Sequence, residues 1–348
     1  MASKLHINLG GVAIGGGAPI SIQTMTNTKT EDVDATVAQI CQVESAGCDI
    51  VRVSCNTKAA AESLGKIISR VSIPVVADIH FHYKLAIISI ENGAHCVRIN
   101  PGNMDESGFR EIVRCAEEHG IPIRIGVNSG SLEREILDKY HEPNSDALVE
   151  SAMLNEKKMY DFGYPNFKIS IKSSDVKTCI DANRKLSCSS EHPIHVGLTE
   201  SGPVFSGTIK SSACLGALLC DGVGDTIRVS LSGDPVEEVK VGRQILKAFN
   251  LLDKSVNIIS CPTCSRTVIN VIELSKNIED KYGNLQKKVN ISMLGCVVNG
   301  IGEAEHSDIG IFGIKQGVAK IYFKGKEYLS TCEEKDIMTV VDELILDV

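Results

Sequence analysis

The chain contains no tryptophan, and aromatic residues make up only 4% of it. So few flat side chains leave little for stacking on nucleobases. Basic residues are not in excess: 36 Lys and Arg stand against 44 Asp and Glu, a formal net charge of −8. That balance argues against nucleic acid or an anionic membrane as the partner. No apolar run reaches the length of a membrane span, and no charged-then-apolar leader opens the sequence. A cytoplasmic protein is therefore expected. Low-complexity segments are lacking too. What remains is ordinary globular composition: 348 residues, 43% hydrophobic and 23% charged, ample for a large core. The most linker-like stretch is 250–254, which divides the chain into an expected large domain, 1–252, and a smaller one, 253–348. The 13 cysteines are odd in number and mostly scattered singly, which argues for reduced thiols rather than a disulfide frame.

Between residues 20 and 230, short apolar strands alternate with amphipathic helices. Strands are expected at 20–25, 49–54, 75–80, 95–100, 121–128, 167–172, 194–199 and 226–230. The helix after the fifth strand is longer and breaks near His141-Glu142-Pro143. Eight strand–helix units in this length read as a (β/α)8 barrel, with an open doubly wound sheet as the fallback. Gly15-Gly16-Gly17 lacks the strand-before, helix-after context of a phosphate loop and reads as a turn entering the barrel.

Several of these strands set a cation between apolar neighbours, as in Val51-Arg52-Val53-Ser54, Val97-Arg98-Ile99-Asn100 and Ile227-Arg228-Val229-Ser230. Side chains alternate faces along a strand, so the Val and Ile parity meets the helices and the other parity faces the lumen. The inward set comprises Ser21, Gln23, Arg52, Ser54, Asp78, His80, Arg98, Asn100, Arg124, Asn128, Lys172, His195, Thr199, Arg228 and Ser230. Four Arg and one Lys converging on one barrel mouth call for a compensating anion, and phosphate or diphosphate suits them best. The bland alternative pairs each cation with a nearby carboxylate such as Asp49, Asp78 or Asp225. Asp78 and His80 suit acid–base work or substrate hydrogen bonding, or else form a structural pair. His195, Thr199 and Glu200 pose the same choice. His6, His82, His119, His141 and His192 read as surface or loop residues, and the lone cysteines as buried or partly buried thiols.

Beyond residue 254 the pattern changes. Cys261-Pro262-Thr263-Cys264 follows a strand at 256–260 and opens a helix running to about 281. Cys296 follows a second strand, 289–294, on a Gly-rich turn that continues to Glu303. Further strands at 309–314, 318–323 and 327–329 and a helical tail at 333–346 complete a small α/β domain. Three thiols and a carboxylate near glycines fit three corners of an iron–sulfur cluster with an open or oxygen-bound fourth. A closed structural zinc site normally takes four Cys or His ligands. Near Cys296 only His306 and Cys332 are at hand. Cluster, zinc, and a redox-active or unliganded Cys pair all stay open on spacing alone.

These segments resemble the 4-hydroxy-3-methylbut-2-enyl diphosphate synthase family, iron–sulfur enzymes of the non-mevalonate isoprenoid pathway. The resemblance lies in Ser260-Cys261-Pro262-Thr263-Cys264-Ser265-Arg266 and in Gly295-Cys296-Val297-Val298-Asn299-Gly300-Ile301-Gly302-Glu303-Ala304. It extends to Gln23-Thr24-Met25-Thr26-Asn27-Thr28, Ala77-Asp78-Ile79-His80-Phe81, Val97 to Asn103 and His195-Val196-Gly197-Leu198-Thr199-Glu200. It implies a TIM barrel followed by a cluster domain, in the two-domain bacterial form. Cys261, Cys264 and Cys296 would ligate a 4Fe-4S cluster, with Glu303 as fourth ligand. The implied reaction is reductive ring opening and dehydration of 2-C-methyl-D-erythritol 2,4-cyclodiphosphate. Arg52, Arg98, Arg124 and Lys172 would hold the diphosphate, supported by Asn128, Thr199, Arg228 and Ser230. Glu200 would handle a proton, Asp78 and His80 would surround the substrate, and Asn299 would orient substrate or Glu303. A head-to-tail homodimer and a flavodoxin or ferredoxin as electron donor are also implied. Ile301 departs from the family, which often has Pro there, and the resemblance implies a looser turn before Glu303. The competing readings are a non-redox barrel enzyme with a structural zinc domain and a nucleic-acid-binding metal knuckle.

Overall fold

The computed structural model describes residues 3–100, 104–252, 254–283, 285 and 287–348. Pro101, Gly102 and Asn103 of the resemblance, and Asp253 at the expected domain start, lie outside the described residues. The chain forms two compact units, Met1–Leu251 and Leu252–Val348.

The first unit begins with an antiparallel hairpin, β1 (His6–Leu9) and β2 (Val12–Gly15). Ile7, Leu9 and Ile14 pack against Ile50, Val76 and Cys96 at the start of the barrel strands. Sequence reading missed this hairpin because each strand has only four residues. Gly15, Gly16 and Gly17 all have positive φ (83°, 60°, 86°) and turn the chain into the barrel.

Eight parallel strands follow: β3 (Ser21–Met25), β4 (Ile50–Ser54), β5 (Val75–Asp78), β6 (Cys96–Ile99), β7 (Ile123–Asn128), β8 (Phe167–Lys172), β9 (His195–Val196) and β10 (Thr226–Ile227). They hydrogen-bond in the order β8-β7-β6-β5-β4-β3-β10-β9. A bridge between Ile169 and Ile194 joins the two ends, so the sheet closes into the expected barrel. β9 and β10 pair over only two residues each, and the stretches expected to extend them, to residues 199 and 230, are irregular. The intervening helices include α1 (Val33–Ser45), α2 (Lys58–Ile68), α3 (Tyr83–Glu91), α4 (Glu106–His119), α5 (Arg134–Tyr140), α6 (Ser145–Asp161), α7 (Val176–Ser189), α8 (Val204–Cys220) and α9 (Pro235–Ala248). Side-chain caps start several of them: Asp105 accepts from Gly108 N, Asn144 from Ala147 N and Asp175 from Thr178 N. α5 and α6 are separated by His141 in the left-handed region (φ 62°), the break expected there.

Val51, Val53, Val75, Ala77, Val97, Ile99, Ile123, Ile125, Ile169 and Ile171 are all fully buried. One expectation fails nearby: His192 is buried, not a surface residue, and stacks on Phe167 with centroids 3.7 Å apart. Cys41, Cys188 and Cys220 are exposed rather than buried.

The second unit is a five-stranded sheet: β11 (Val256–Ser260), β12 (Val289–Leu294), β13 (Ile309–Lys315), β14 (Val318–Phe323) and β15 (Lys326–Glu333), in that spatial order. The first three strands are parallel and the last two antiparallel. α10 (Val271–Tyr282) and α12 (Ile337–Asp347) share one core with Ile291, Met293, Ile309 and Ile311. α11 (Val297–Glu305) packs through Ala304 on Leu294 and Phe312 in a second cluster.

Two expectations are corrected here. Cys261–Cys264 does not open a helix: α10 begins only at Val271, where Asn270 caps Glu273 N. The Gly-rich stretch after Cys296 is a helix, not a turn. Its glycines allow close packing: a Cβ on Gly300 would lie 2.4 Å from Phe312, and one on Gly310 of β13 would lie 2.4 Å from Ala304. Ile301 sits inside this helix, 45% exposed, so it loosens no turn.

Candidate active site and metal centre

A barrel interior is usually filled by branched apolar side chains. This lumen is filled by charged and polar ones. Arg52, Asp78, Arg98, Asn100, Arg124, Lys172 and His195 are all buried, and Arg228 is largely covered. Asp78 is the hub. Its carboxylate lies 3.2 Å from Arg98 Nη1, 3.7 Å from Arg52 Nη1 and 3.1 Å from His80 Nε2. Burial by itself would raise its pKa. The charge of Arg52, the His80 hydrogen bond and Arg98 outweigh burial and hold the carboxyl well below the usual range.

Arg98 fits only because residue 126 is glycine: a Cβ there would lie 2.5 Å from Arg98 Nε. The Asn128 amide satisfies both its neighbours when Oδ1 accepts from Arg98 Nη2 at 2.9 Å and the nitrogen donates to the Val127 carbonyl at 3.2 Å. Asn100 donates to Ser131 Oγ at 2.7 Å.

The remaining cations find little negative charge. Arg124 donates to Ser170 Oγ through Nε (3.1 Å) and Nη2 (3.0 Å) and to Gln23 Oε1 through Nη1 (3.1 Å). Both of these acceptors are neutral. Arg228 meets Glu238 at 3.4 Å. Among the described residues, Lys172 Nζ has no hydrogen-bond partner, and neither ring nitrogen of His195 has one. Burial, then Arg124, Arg228 and Arg52, hold the Lys172 amine well below its ordinary pKa. Burial and four surrounding cations do the same to His195 and keep its imidazole neutral. The carboxylates proposed as local partners are occupied elsewhere. Asp49 accepts from Ile22 N and Asp225 from Ile194 N, each at 2.7 Å. Of the named local partners, only Asp78 forms ion pairs with lumen cations among the described residues.

Thr199 and Ser230 are half-buried in the irregular segments that continue β9 and β10. Glu200 is exposed and holds φ at 53°, in the left-handed region that non-glycine residues seldom adopt. Two lumen residues escaped sequence reading. Glu238, buried on α9, accepts from Thr24 Oγ1 at 2.6 Å and Leu231 N at 2.9 Å besides facing Arg228. Its position in an acidic first turn, beside Glu237, resembles ordinary helix capping charge. Lys168 begins β8 between Phe167 and Ile169 and is fully buried. The parity that identified Lys172 also marks Lys168, so the signal was present.

In the second unit, Cys261, Cys264 and Cys296 line one cavity of about 230 Å³, with Arg266, Thr267 and Asn299 among its other walls. The loop after β11 carries the first two sulfurs, and the end of β12 carries the third. Gly295 N donates to Cys261 Sγ at 3.2 Å, and Thr267 Oγ1 accepts from Cys264 N at 3.1 Å. The Arg266 backbone N–H, with its guanidinium, draws the Cys264 thiol below its ordinary pKa. Cys296 is the residue preceding α11, so the unpaired N–H groups of that helix's first turn lie beside it. Glu303 lies near the far end of α11 and is not among the residues lining the cavity. Among the described residues no three His, Cys, Asp or Glu side chains converge as ligands of a single ion. The donor set of this cavity, three thiols with backbone N–H groups directed at sulfur, suits a larger iron–sulfur group.

Fold and side chains together define a (β/α)8-barrel enzyme with an appended thiol-bearing α/β unit. Comparison with known proteins agrees. Residues 4–243 match the GcpE TIM-barrel domain, and residues 257–347 match the GcpE protein C-terminal domain. A protein of Gluconacetobacter diazotrophicus is 51% identical over 92% of this chain and 85% of its own length. One of Caldanaerobacter subterraneus subsp. tengcongensis is 49% identical over 97% and 96%. Both are named 4-hydroxy-3-methylbut-2-en-1-yl diphosphate synthase (flavodoxin). The chain belongs to the GcpE family. Among solved structures, dihydropteroate synthase from Stenotrophomonas maltophilia aligns at TM-score 0.54 and 13% identity, covering 70% of this chain and 97% of that one. The Yersinia pestis enzyme aligns at 0.52 and 12%, covering 71% and 100%. These share the barrel fold alone.

Proposed function

We propose that the two units divide one reaction between them, the barrel binding the substrate's diphosphate and the thiol-bearing unit supplying electrons. The reaction is the one for which the relatives are named. 2-C-Methyl-D-erythritol 2,4-cyclodiphosphate is reductively opened and dehydrated to (E)-4-hydroxy-3-methylbut-2-enyl diphosphate. The observation that carries the barrel's role is its under-neutralised lumen: Arg124 and Lys172 are buried without a carboxylate partner among the described residues. Burying such cations is costly unless an anion completes the site. Arg52, Arg98, Arg124 and Lys172 bind the diphosphate. Asn100, Asn128, His195, Thr199, Arg228 and Ser230 position it.

Cys261, Cys264 and Cys296 hold a 4Fe-4S cluster, with Glu303 as its fourth ligand. When bound, the cluster supplies electrons and a Lewis-acidic iron for the oxygen that leaves. A carboxylate suits such a soft site poorly and yields readily. Asp78 remains ionised and keeps Arg52, Arg98 and His80 in place. Glu200, in its strained conformation at the end of the seventh barrel strand, handles the proton. Asn299, on the cavity wall, orients substrate or Glu303.

Electrons come from flavodoxin, as the relatives' names support, or from ferredoxin, and the protein works in the cytoplasm. No helix among the described residues is long and apolar enough to cross a membrane. A head-to-tail homodimer brings one protomer's barrel to its partner's cluster unit. In support, Val298 of α11 is 63% exposed beside the cysteines, and Phe81 and Phe205 on the barrel are 68% and 81% exposed.

The test is iron and acid-labile sulfide per chain in protein prepared without air, followed by assay with the cyclic diphosphate and a reductant. About four of each, with turnover, is expected. Cys264→Ala is expected to lose both cluster and turnover; full activity in that variant would refute the assignment.

A further inference from the structure

Lys168 is the one buried lumen cation without a place in the scheme above. Its amine is buried in the lumen beside Arg124, its register partner on β7, and donates to Thr226 Oγ1 at 3.3 Å, its only hydrogen bond among the described residues. Thr226 Oγ1 itself accepts from Ser21 Oγ at 2.9 Å. The titratable groups facing Lys168 come from several elements: Arg124 on β7, Cys96 on β6, His195 on β9, and Asp225 just before β10. The Asp225 carboxylate is engaged by Ile194 N at 2.7 Å and Ser3 Oγ at 2.8 Å. No carboxylate pairs with Lys168 at salt-bridge distance among the described residues. In the lumen as a whole, Arg52, Arg98, Arg124, Lys168, Lys172 and Arg228 face the carboxylates of Asp78 and Glu238. Guanidinium groups stay protonated in proteins, whereas a buried lysine can shed its charge.

We propose that Lys168 is a positioning residue that carries charge when a polyanion is seated in the lumen and loses it when the anion leaves. The amine takes one proton from solvent as the anion binds, R–NH2 + H+ → R–NH3+, and returns it on release. The inference rests on the barrel being the diphosphate site. Burial, opposed by Cys96 and Asp225 and reinforced by Arg124, brings the Lys168 pKa down to about 7 in the empty barrel. That value makes the switch accessible near neutrality. The reaction gives the switch a use. The cyclic diphosphate is esterified at both ends, and opening a C–O bond leaves the oxygen on phosphorus. The diphosphate then gains one negative charge, which a protonated Lys168 helps to hold.

The test is isothermal titration of the holoenzyme, without reductant, with the cyclic diphosphate in buffers of different ionisation enthalpy. Both phosphoryl groups of this probe keep fixed charge near neutral pH, so any proton is taken up by the protein. An anion nearby raises a lysine pKa by roughly one to three units. Wild type should therefore take up about half a proton or more at pH 8, and its affinity should weaken as pH rises through 7 to 9. Lys168→Met, with Lys168→Gln as a second variant that keeps a partner for Thr226, should still bind but lose that share of the uptake. Uptake unchanged in both variants would place the proton on Lys172 or His195 and overturn the proposal. So would binding by wild type with no uptake. Failure of the cyclic diphosphate to bind at all would overturn the diphosphate reading of the barrel, and this inference with it.

Discussion

Gly126→Ala tests how the barrel makes room for its cations. The added methyl carbon would lie 2.5 Å from Arg98 Nε, 2.9 Å from Nη2 and 3.1 Å from Cζ. Ordinary contact is about 3.5 Å, so the guanidinium must retreat by about 1 Å. Arg98 is 2% exposed, and its contacts to Asp78 (3.2 Å) and Asn128 (2.9 Å) have little slack. A shift of that size breaks at least one of them. A hydrogen bond to a charged group contributes about 1.5–3 kcal/mol, and overpacking a core adds about 1–3 kcal/mol. The expected loss of stability is thus about 2–4 kcal/mol, with partial relaxation absorbing the rest. Losing one charge-assisted contact should weaken binding of the cyclic diphosphate by about 10- to 100-fold. Urea unfolding and titration calorimetry measure the two effects, and cluster absorbance should not change. Gly130→Ala is the control, because nothing lies within 4 Å of its Cβ position. A Gly126→Ala protein with wild-type stability and affinity would refute the placement of Arg98 inside the lumen.

In α11, Gly300→Ala should destabilise the second unit and lower its iron content, since the new carbon meets Phe312 at 2.4 Å. Gly302→Ala, with nothing within 4 Å, should stabilise that unit by up to about 1 kcal/mol in thermal unfolding. Equal effects from the two would contradict the helix packing described. Arg124→Ala should weaken binding of the cyclic diphosphate while leaving cluster absorbance intact; unaltered affinity would remove Arg124 from the binding site. Asp78→Asn should cost about 3–5 kcal/mol near pH 7, as expected when one member of a buried ionic cluster is removed. The folded-state pKa of Asp78 is depressed, so its contribution is fully present above the unfolded carboxylate value, about pH 4, and is lost progressively as pH falls from there toward the much lower folded-state value. Urea midpoints of the two proteins should therefore begin to converge only below about pH 4 and draw closer as the acid strengthens. A gap that persists unchanged in acid would show that Asp78 acts through packing rather than charge.

The barrel could be read from the sequence because strand parity is a local property. Val51, Val53, Ile123 and Ile125 announce one face, and Arg52, Arg98 and Arg124 follow on the other at a spacing of two. The thiol motif was readable for a similar reason, since Cys261 and Cys264 lie close in the chain. Spacing alone, however, left cluster and zinc unresolved, and it was the family resemblance that named the reaction. α11 was misread because Gly300 and Gly302 signal a turn by propensity, whereas packing on Phe312 and Ala304 against Gly310 favours a helix.

Tertiary structure decided how charge is distributed in the lumen. Whether Arg52 and Arg98 share Asp78, whether Arg228 meets Glu238, and whether Arg124 and Lys172 have no carboxylate all depend on elements far apart in sequence. Glu238 bonds Thr24 across 214 positions, and Gly126 matters only because Arg98 of the neighbouring strand fills the space above it. Alternation along a strand tells which way a side chain points; closure of the barrel determines what it meets there.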